Sequence, residues 1–231
     1  MTTQPIHGAE EVQLIGLLRD VQRALADALD SMGGKSLPPG SPTYLAWAAV
    51  SVNRAAEGYL WLRESGRVAA SKLLIRPALE ATFFGVAVVN KPGFFFRKVY
   101  SEWEEDKKMF ASDPVAETAA NHALHELKRA TKQALPNCPV ECKRVSVRDA
   151  AEAAGLLKVY NNAYRTYCKF THGALLAVQG HLDDATNATD TDLVVSCVLM
   201  VLNQLRRHTP ARIPDLKPFG KRLQATHDLT R

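Results

Sequence analysis

The sequence predicts an all-α protein, a single bundle of roughly seven to eight helices with no sheet, and three observations carry that expectation. Apolar residues recur at i, i+3 and i+4 along most of the chain, the spacing of one buried helical face. No run alternates apolar with polar residues between hairpin turn signals. With 46% hydrophobic and 23% charged residues, the 231-residue chain has the composition of an ordinary globular protein, which excludes disorder, collagen and low complexity. Its length is ample for a sizeable core.

Glu10 to Met32 carries apolar side chains at 14, 17, 18, 21, 25, 28, 29 and 32, and Gly33-Gly34 ends it. A loop containing Pro38-Pro39-Gly40 leads to a second helix, Thr43 to Glu64, rich in alanine and aromatic residues and closed near Ser65-Gly66. Arg67 to Asn90 is a third, with Pro77 inside it; the ring removes an amide donor, so a kink or a helix break is expected at Arg76. Phe94 to Ala111 follows Pro92-Gly93 and turns strongly charged in its later half. Asp113-Pro114 caps Val115 to Ala134, since aspartate satisfies orphan amides and proline suits a first turn. After a proline-bearing loop, Ser146 and Asp149 form a capping box for a short helix stopping near Gly155. Leu156 to Val178 reads as one long helix, and Asp190 or Thr191 as the cap of another reaching about His208.

Met1 to Gly8 has no basic start followed by an apolar run, so a signal peptide is not expected and the cytoplasm is the expected compartment. Four cysteines are too few for a disulfide scaffold and are expected reduced. No apolar run approaches the roughly 20 residues of a membrane span. From residue 205 to 231, seven Lys and Arg face two Asp, which accounts for the whole formal net charge of +5. The division expected is a bundle domain over 1–204 and a basic tail over 205–231, whose Arg206, Arg207 and Arg212 are candidate phosphate contacts. A merely solubilising surface is the alternative.

On a wheel of about 100° per residue, Tyr160, Ala163, Tyr164, Tyr167, Thr171, Ala174, Leu175 and Val178 share a core face. Asn161, Arg165, Cys168 and His172 form a polar stripe beside it. Arg165 and His172 stand about 10.5 Å apart along the axis, too far to touch but able to converge on one phosphodiester or meet their counterparts across a two-fold. The Arg165-x6-His172 spacing resembles the Arg-x4-6-His motif of HEPN domains, helical bundles that include dimeric, metal-independent ribonucleases. The resemblance implies that Arg165 binds the scissile phosphate and that His172 acts as general acid or base. Thr166 departs from it, since a polar Asn, Asp or His often follows the arginine there.

From about Ala69 to Val178 the chain is similar to a bacterial domain of unknown function, number 5677. Ser71-Lys-Leu-Leu-Ile-Arg76-Pro-Ala-Leu-Glu80 carries one part, and Val147 to Gly155 followed by Tyr160-x3-Tyr164-Arg165-x6-His172 the other. That resemblance implies an all-helical fold and no established activity. Arg76 and Glu80, four apart, are placed to pair, with Glu80 also a natural acceptor for Arg165 or His172; a register-fixing salt bridge is the plainer reading.

His122-x2-His125-x12-Cys138-x3-Cys142 has the ligand types of tetrahedral zinc, against surface histidines as the alternative. Glu-x2-His units, a P-loop, a dinucleotide fingerprint and a nucleophile elbow are all missing, and no cofactor is expected. The function expected is metal-independent RNA binding or cleavage, a candidate endoribonuclease centred on Arg165 and His172, supported by Arg76, Glu80, Asn161 and Tyr164. RNA and a second copy of the chain are the candidate partners, and a toxin or defence setting stays open. The alternative is a non-catalytic helical module.

Overall fold

The computed structural model describes residues 8–33, 37, 40–109, 113–134, 136–137, 143–171 and 184–228. Every regular element among them is helical. In chain order these are α1 (Ala9–Asp30), α2 (Ser41–Glu64), α3 (Val68–Ser71), a 3₁₀ turn (Lys72–Leu74), α4 (Ile75–Asn90), α5 (Pro92–Met109), α6 (Pro114–Ala134) and α7 (Val147–Ala153). Then α8 (Leu157–Val159) passes through a π turn (Tyr160–Tyr164) into α9 (Arg165–Thr171), followed by α10 (Asp184–His208) and α11 (Lys217–Asp228).

Four long helices, α1, α2, α4 and α10, pack against one another and enclose the core. Leu18, Val21 and Leu25 of α1 share one apolar cluster with Val52, Ala56 and Tyr59 of α2, Leu79 and Phe83 of α4, and Val195, Val198 and Leu202 of α10. The α2–α4 crossing is close because Gly85 offers no side chain: a Cβ there would lie 2.8 Å from that of Ala48. Around this core, α7 lies on α4, the α5–α6 pair leads away from α4, and α11 folds back onto α1. The carboxy-terminal segment is therefore anchored, with Arg222 paired to Asp20 at 2.6 Å and Thr226 buried. The stretches Val68–Asn90 and Ala188–His208 match a membrane span in length and composition, and half or more of each apolar window is buried inside the bundle.

The expected break before Pro77 falls one turn earlier. Pro77 sits inside α4, and the ladder is disturbed over Lys72–Leu74. The reason is local: Leu73, four residues before the proline, is the residue whose carbonyl loses its amide donor and meets the ring. This turn carries Lys72 into the core at 1% exposure, where its Nζ lies 2.5 Å from Asp190 of α10. Through its other oxygen Asp190 accepts a hydrogen bond from the Tyr167 hydroxyl, and neighbouring Thr191 shares one with Tyr59 at 3.0 Å. Asp190 and Thr191 thus do not cap a helix, since α10 starts at Asp184 and places both mid-helix and buried. A second buried pair, Glu11 with Arg63, ties α1 to α2, with the guanidinium carbon 5.9 Å from the Tyr59 ring centroid.

The capping box of α7 forms as expected, with Ser146 and Asp149 exchanging side-chain to backbone bonds, and Gly155 at φ 75° turns the chain out of that helix. Burial alone would push the Asp149 carboxyl up, but its bonds from Ser146 hold it below the ordinary aspartate value. A lowered folded value means stabilisation that is complete above the unfolded value near 4 and lost as pH falls through the folded one. Asp149→Asn is expected to remove that share of the acid-side loss in a pH series of urea melts.

The buried pair gives a stronger expectation. Lys72→Met leaves Asp190 buried without its cation, so stability should fall by about 3–5 kcal/mol. Lys72→Met with Asp190→Asn keeps an acceptor for Tyr167 and should recover most of it. Urea midpoints of the two variants check this, and a double variant as weak as the single one would contradict it.

Candidate functional site

The helical stretch from Leu157 to Thr171 owes its side-chain arrangement to the π turn. An i→i+5 turn is wider than an α turn, so Tyr160 and Tyr164 come nearly into line along the axis. Their rings stack at 5.1 Å with 20° between planes, and Phe83 of α4 meets the Tyr164 ring edge-on at 6.0 Å. Tyr164 and Tyr167 are each 5% exposed, while Tyr160 and Ala163 are half-buried. The expected core face is therefore present but is led by Tyr164 and Tyr167, because a uniform wheel does not allow for the wide turn. The rest of that expected helix, including His172, Ala174, Leu175 and Val178, lies outside the described residues.

Tyr164 closes a compact polar cluster with α4. Arg76 Nε donates to Glu80 Oε1 at 2.9 Å, and the Tyr164 hydroxyl donates to the same oxygen at 2.5 Å. The Arg76 guanidinium carbon stands 5.9 Å from the Tyr164 ring centroid, and the Cys168 thiol hydrogen-bonds the tyrosine. Burial first, then the bond to Glu80, pushes the Tyr164 phenol far above its usual range, so it stays a donor. The bond to Glu80 likewise holds Arg76 more firmly protonated, against a smaller opposing effect of burial. The cluster is electrically balanced, with one cation, one carboxylate and one neutral phenol. The Arg76–Glu80 pair expected from the sequence exists, but Tyr164, rather than Arg165, supplies the partner from the neighbouring helix.

Arg165 opens α9 and is exposed, forming no ion pair among the described residues. Asn161, one turn before it, is exposed as well, and Cys168, one turn after, is half-buried. The two buried tyrosines on either side fix the backbone from which Arg165 projects. On the other flank, a groove of about 460 Å³ separates this stretch from α10, walled by Val159, Ala163, Tyr167 and Leu193, with exposed Lys158 also lining it.

The remaining candidates lie apart. Arg206 and Arg207 are exposed in the last turn of α10, where cations suit the negative end of the helix dipole. Arg206 is sixteen residues past Asp190, so about 24 Å along the axis from the point where Tyr167 of α9 docks. Arg212 is exposed, with its backbone amide on Ser31 Oγ at 2.9 Å. These arginines and Arg165 are not assembled into one site. His122 and His125 are exposed on α6, Cys138 and Cys142 lie outside the described residues, and no group of three metal-ligating side chains gathers among the described ones. Of the other cysteines, Cys197 is fully enclosed, and burial raises its thiol to about 12.

The residues that sequence reasoning missed are the buried ions: Lys72, Asp190, Glu11 and Arg63. Pro77 was the available signal for Lys72, since the disturbed turn precedes a proline by one turn. A family model described as a family of unknown function matches residues 44–189, well over half of the chain. The chain belongs to that family, DUF5677. No curated protein and no solved structure matches it. The DUF5677 span runs from α2 into the first turns of α10, so it contains Lys72, Arg76, Glu80, Tyr164 and Arg165 and leaves out Arg206, Arg207 and Arg212.

Three substitutions separate these roles by stability. Tyr167→Ala should cost about 3–5 kcal/mol, as for other enclosed aromatics, and Tyr164→Phe about 1–2 kcal/mol through the lost bond to a charged acceptor. Arg165→Ala should change stability by less than about 0.5 kcal/mol. Denaturant midpoints measure all three, and a large loss for Arg165→Ala would contradict its exposed placement.

Proposed function

We propose that this protein binds or cleaves RNA without a metal ion, in the manner of HEPN-like helical proteins, with Arg165 and His172 at the centre. The observation that supports this reading is the division of labour around the π turn. Arg76, Glu80 and Tyr164 bond to one another, whereas Arg165, the residue after Tyr164, is exposed between two buried tyrosines. A guanidinium offered from a fixed backbone suits a phosphate, which it grips through two parallel N–H bonds and whose developing charge it stabilises.

His172, seven residues on, would supply the proton transfer, taking the ribose 2′-hydroxyl proton or protonating the leaving oxygen. With the arginine providing positive charge and the imidazole the acid–base step, no metal-bound hydroxide is needed. A two-fold related copy would add a second Arg165 to the same phosphodiester. Bacterial origin, a cytoplasmic setting and a homodimer belong to this same proposal.

The test is incubation of purified protein with mixed structured and single-stranded RNA in EDTA. Cleavage should persist in chelator. His172→Ala should slow it by about 10² to 10⁴ while leaving binding largely intact, and Arg165→Ala should weaken both binding and rate. Thermal melts confirm folding of each variant. Equal activity of wild type and His172→Ala, or none in either across many RNAs, rejects catalysis at this pair.

A further inference from the structure

We infer that the outward face of α2 is a binding surface for single-stranded RNA, on which Trp47 and Trp61 stack unpaired bases and Arg54 and Arg67 contact the backbone. The inference takes its ligand class from the RNA reading above, and it assigns to that ligand a surface distinct from Arg165.

Trp47 and Trp61 are 64% and 58% exposed, the largest side chains among the exposed hydrophobics. Fully buried Val52, Ala56 and Tyr59 fill the opposite face of the same helix, so the tryptophans stand on a rigid support. Trp47, Arg54 and Trp61 follow one another at intervals of seven residues, which places all three on one stripe about 21 Å long. Arg54 is exposed between the rings, and exposed Arg67 just past the helix end sets its guanidinium carbon 5.5 Å from the Trp61 ring centroid. The stripe thus alternates aromatic faces with cations, the arrangement that grips single strands without reading a fixed sequence. Of the acids nearby, Glu57 is exposed, Glu64 is paired with Arg19 at 2.7 Å, and Glu102, which accepts from Tyr44 beside Trp47, is paired with Lys98 at 2.9 Å. A membrane surface is the poorer match, because an interfacial helix needs a broad apolar face and here Ser51, Arg54 and Glu57 separate the rings.

The turn before α4 packs beside the end of α2 nearer Trp61. Gly58, three residues before Trp61, faces Leu74, whose Cδ1 would lie 2.9 Å from a Cβ added at that glycine. Six residues beyond Leu74, Glu80 faces Tyr164. Between these two sides α4 and its preceding turn present Leu73, 46% exposed, and exposed Pro77.

Fluorescence anisotropy of a labelled dodecameric oligoadenylate, titrated with full-length protein, tests the inference. Trp61→Ala and Trp47→Ala should each weaken binding by about five- to a hundredfold, and Trp61→Phe by much less. Arg54→Ala should flatten the dependence of log affinity on log salt by about 0.7. Wild-type tryptophan emission should be quenched by the oligonucleotide, since two of the three tryptophans lie on the stripe. Val115→Ser, at an exposed site on α6, serves as the control and should bind as wild type. Unchanged binding in both alanine variants overturns the inference. If the stripe variants bind normally while Arg165→Ala binds weakly, the stripe falls and the Arg165 reading stands. The reverse result sinks Arg165 and keeps the stripe. No binding by wild type rejects the stripe and leaves the Arg165 reading to the cleavage assay above, and stripe-dependent binding of phosphatidylserine vesicles in place of oligonucleotide replaces this inference with a membrane surface.

Discussion

A lysine ammonium held against an aspartate carboxylate in the centre of an apolar bundle is the constraint on which the arrangement depends. Neither ion could stay charged there alone, because a lone charge deprived of water is far more costly than any packing it permits. The Lys72–Asp190 pair therefore requires the 3₁₀ turn before α4 and the early turns of α10 to lie side by side. Asp190 has a second acceptor site to fill, and Tyr167 of α9 fills it. One carboxylate consequently fixes three segments that are far apart in the chain.

From that anchor the rest of the candidate site follows by geometry. With Tyr167 docked, the preceding π turn brings Tyr164 to Glu80 and Phe83, and both sides of α9 that face the bundle are occupied. The remaining direction is outward, and Arg165 takes it. Among the described residues the buried ions are paired, Lys72 with Asp190 and Arg63 with Glu11.

Membership of DUF5677 is consistent with this distribution, since the matched span includes the anchor lysine, the Arg76–Glu80–Tyr164 cluster and Arg165 together. The basic excess of the carboxy-terminal segment lies elsewhere. There, α11 uses Arg222 and His227 to hold Asp20 and Asp192, so part of that charge fastens the segment to α1 and α10.

The sequence by itself determined the helical class and most helix boundaries, because a 3.6-residue apolar period, a capping box at Ser146 and glycine stops act over a few residues and need no distant partner. It also determined that Arg76 and Glu80 could meet, four residues apart on one helix. Which polar residues are enclosed depends instead on how distant segments pack. Asp190 and Thr191 have the composition of a helix cap, and Lys72 that of a solvated lysine, until α4, α9 and α10 are packed together. Likewise a regular wheel cannot show that a π turn advances Tyr164 toward Glu80 and leaves Arg165 facing water. Burial is a property of several segments at once, and no local pattern in one of them records which residues the others will cover.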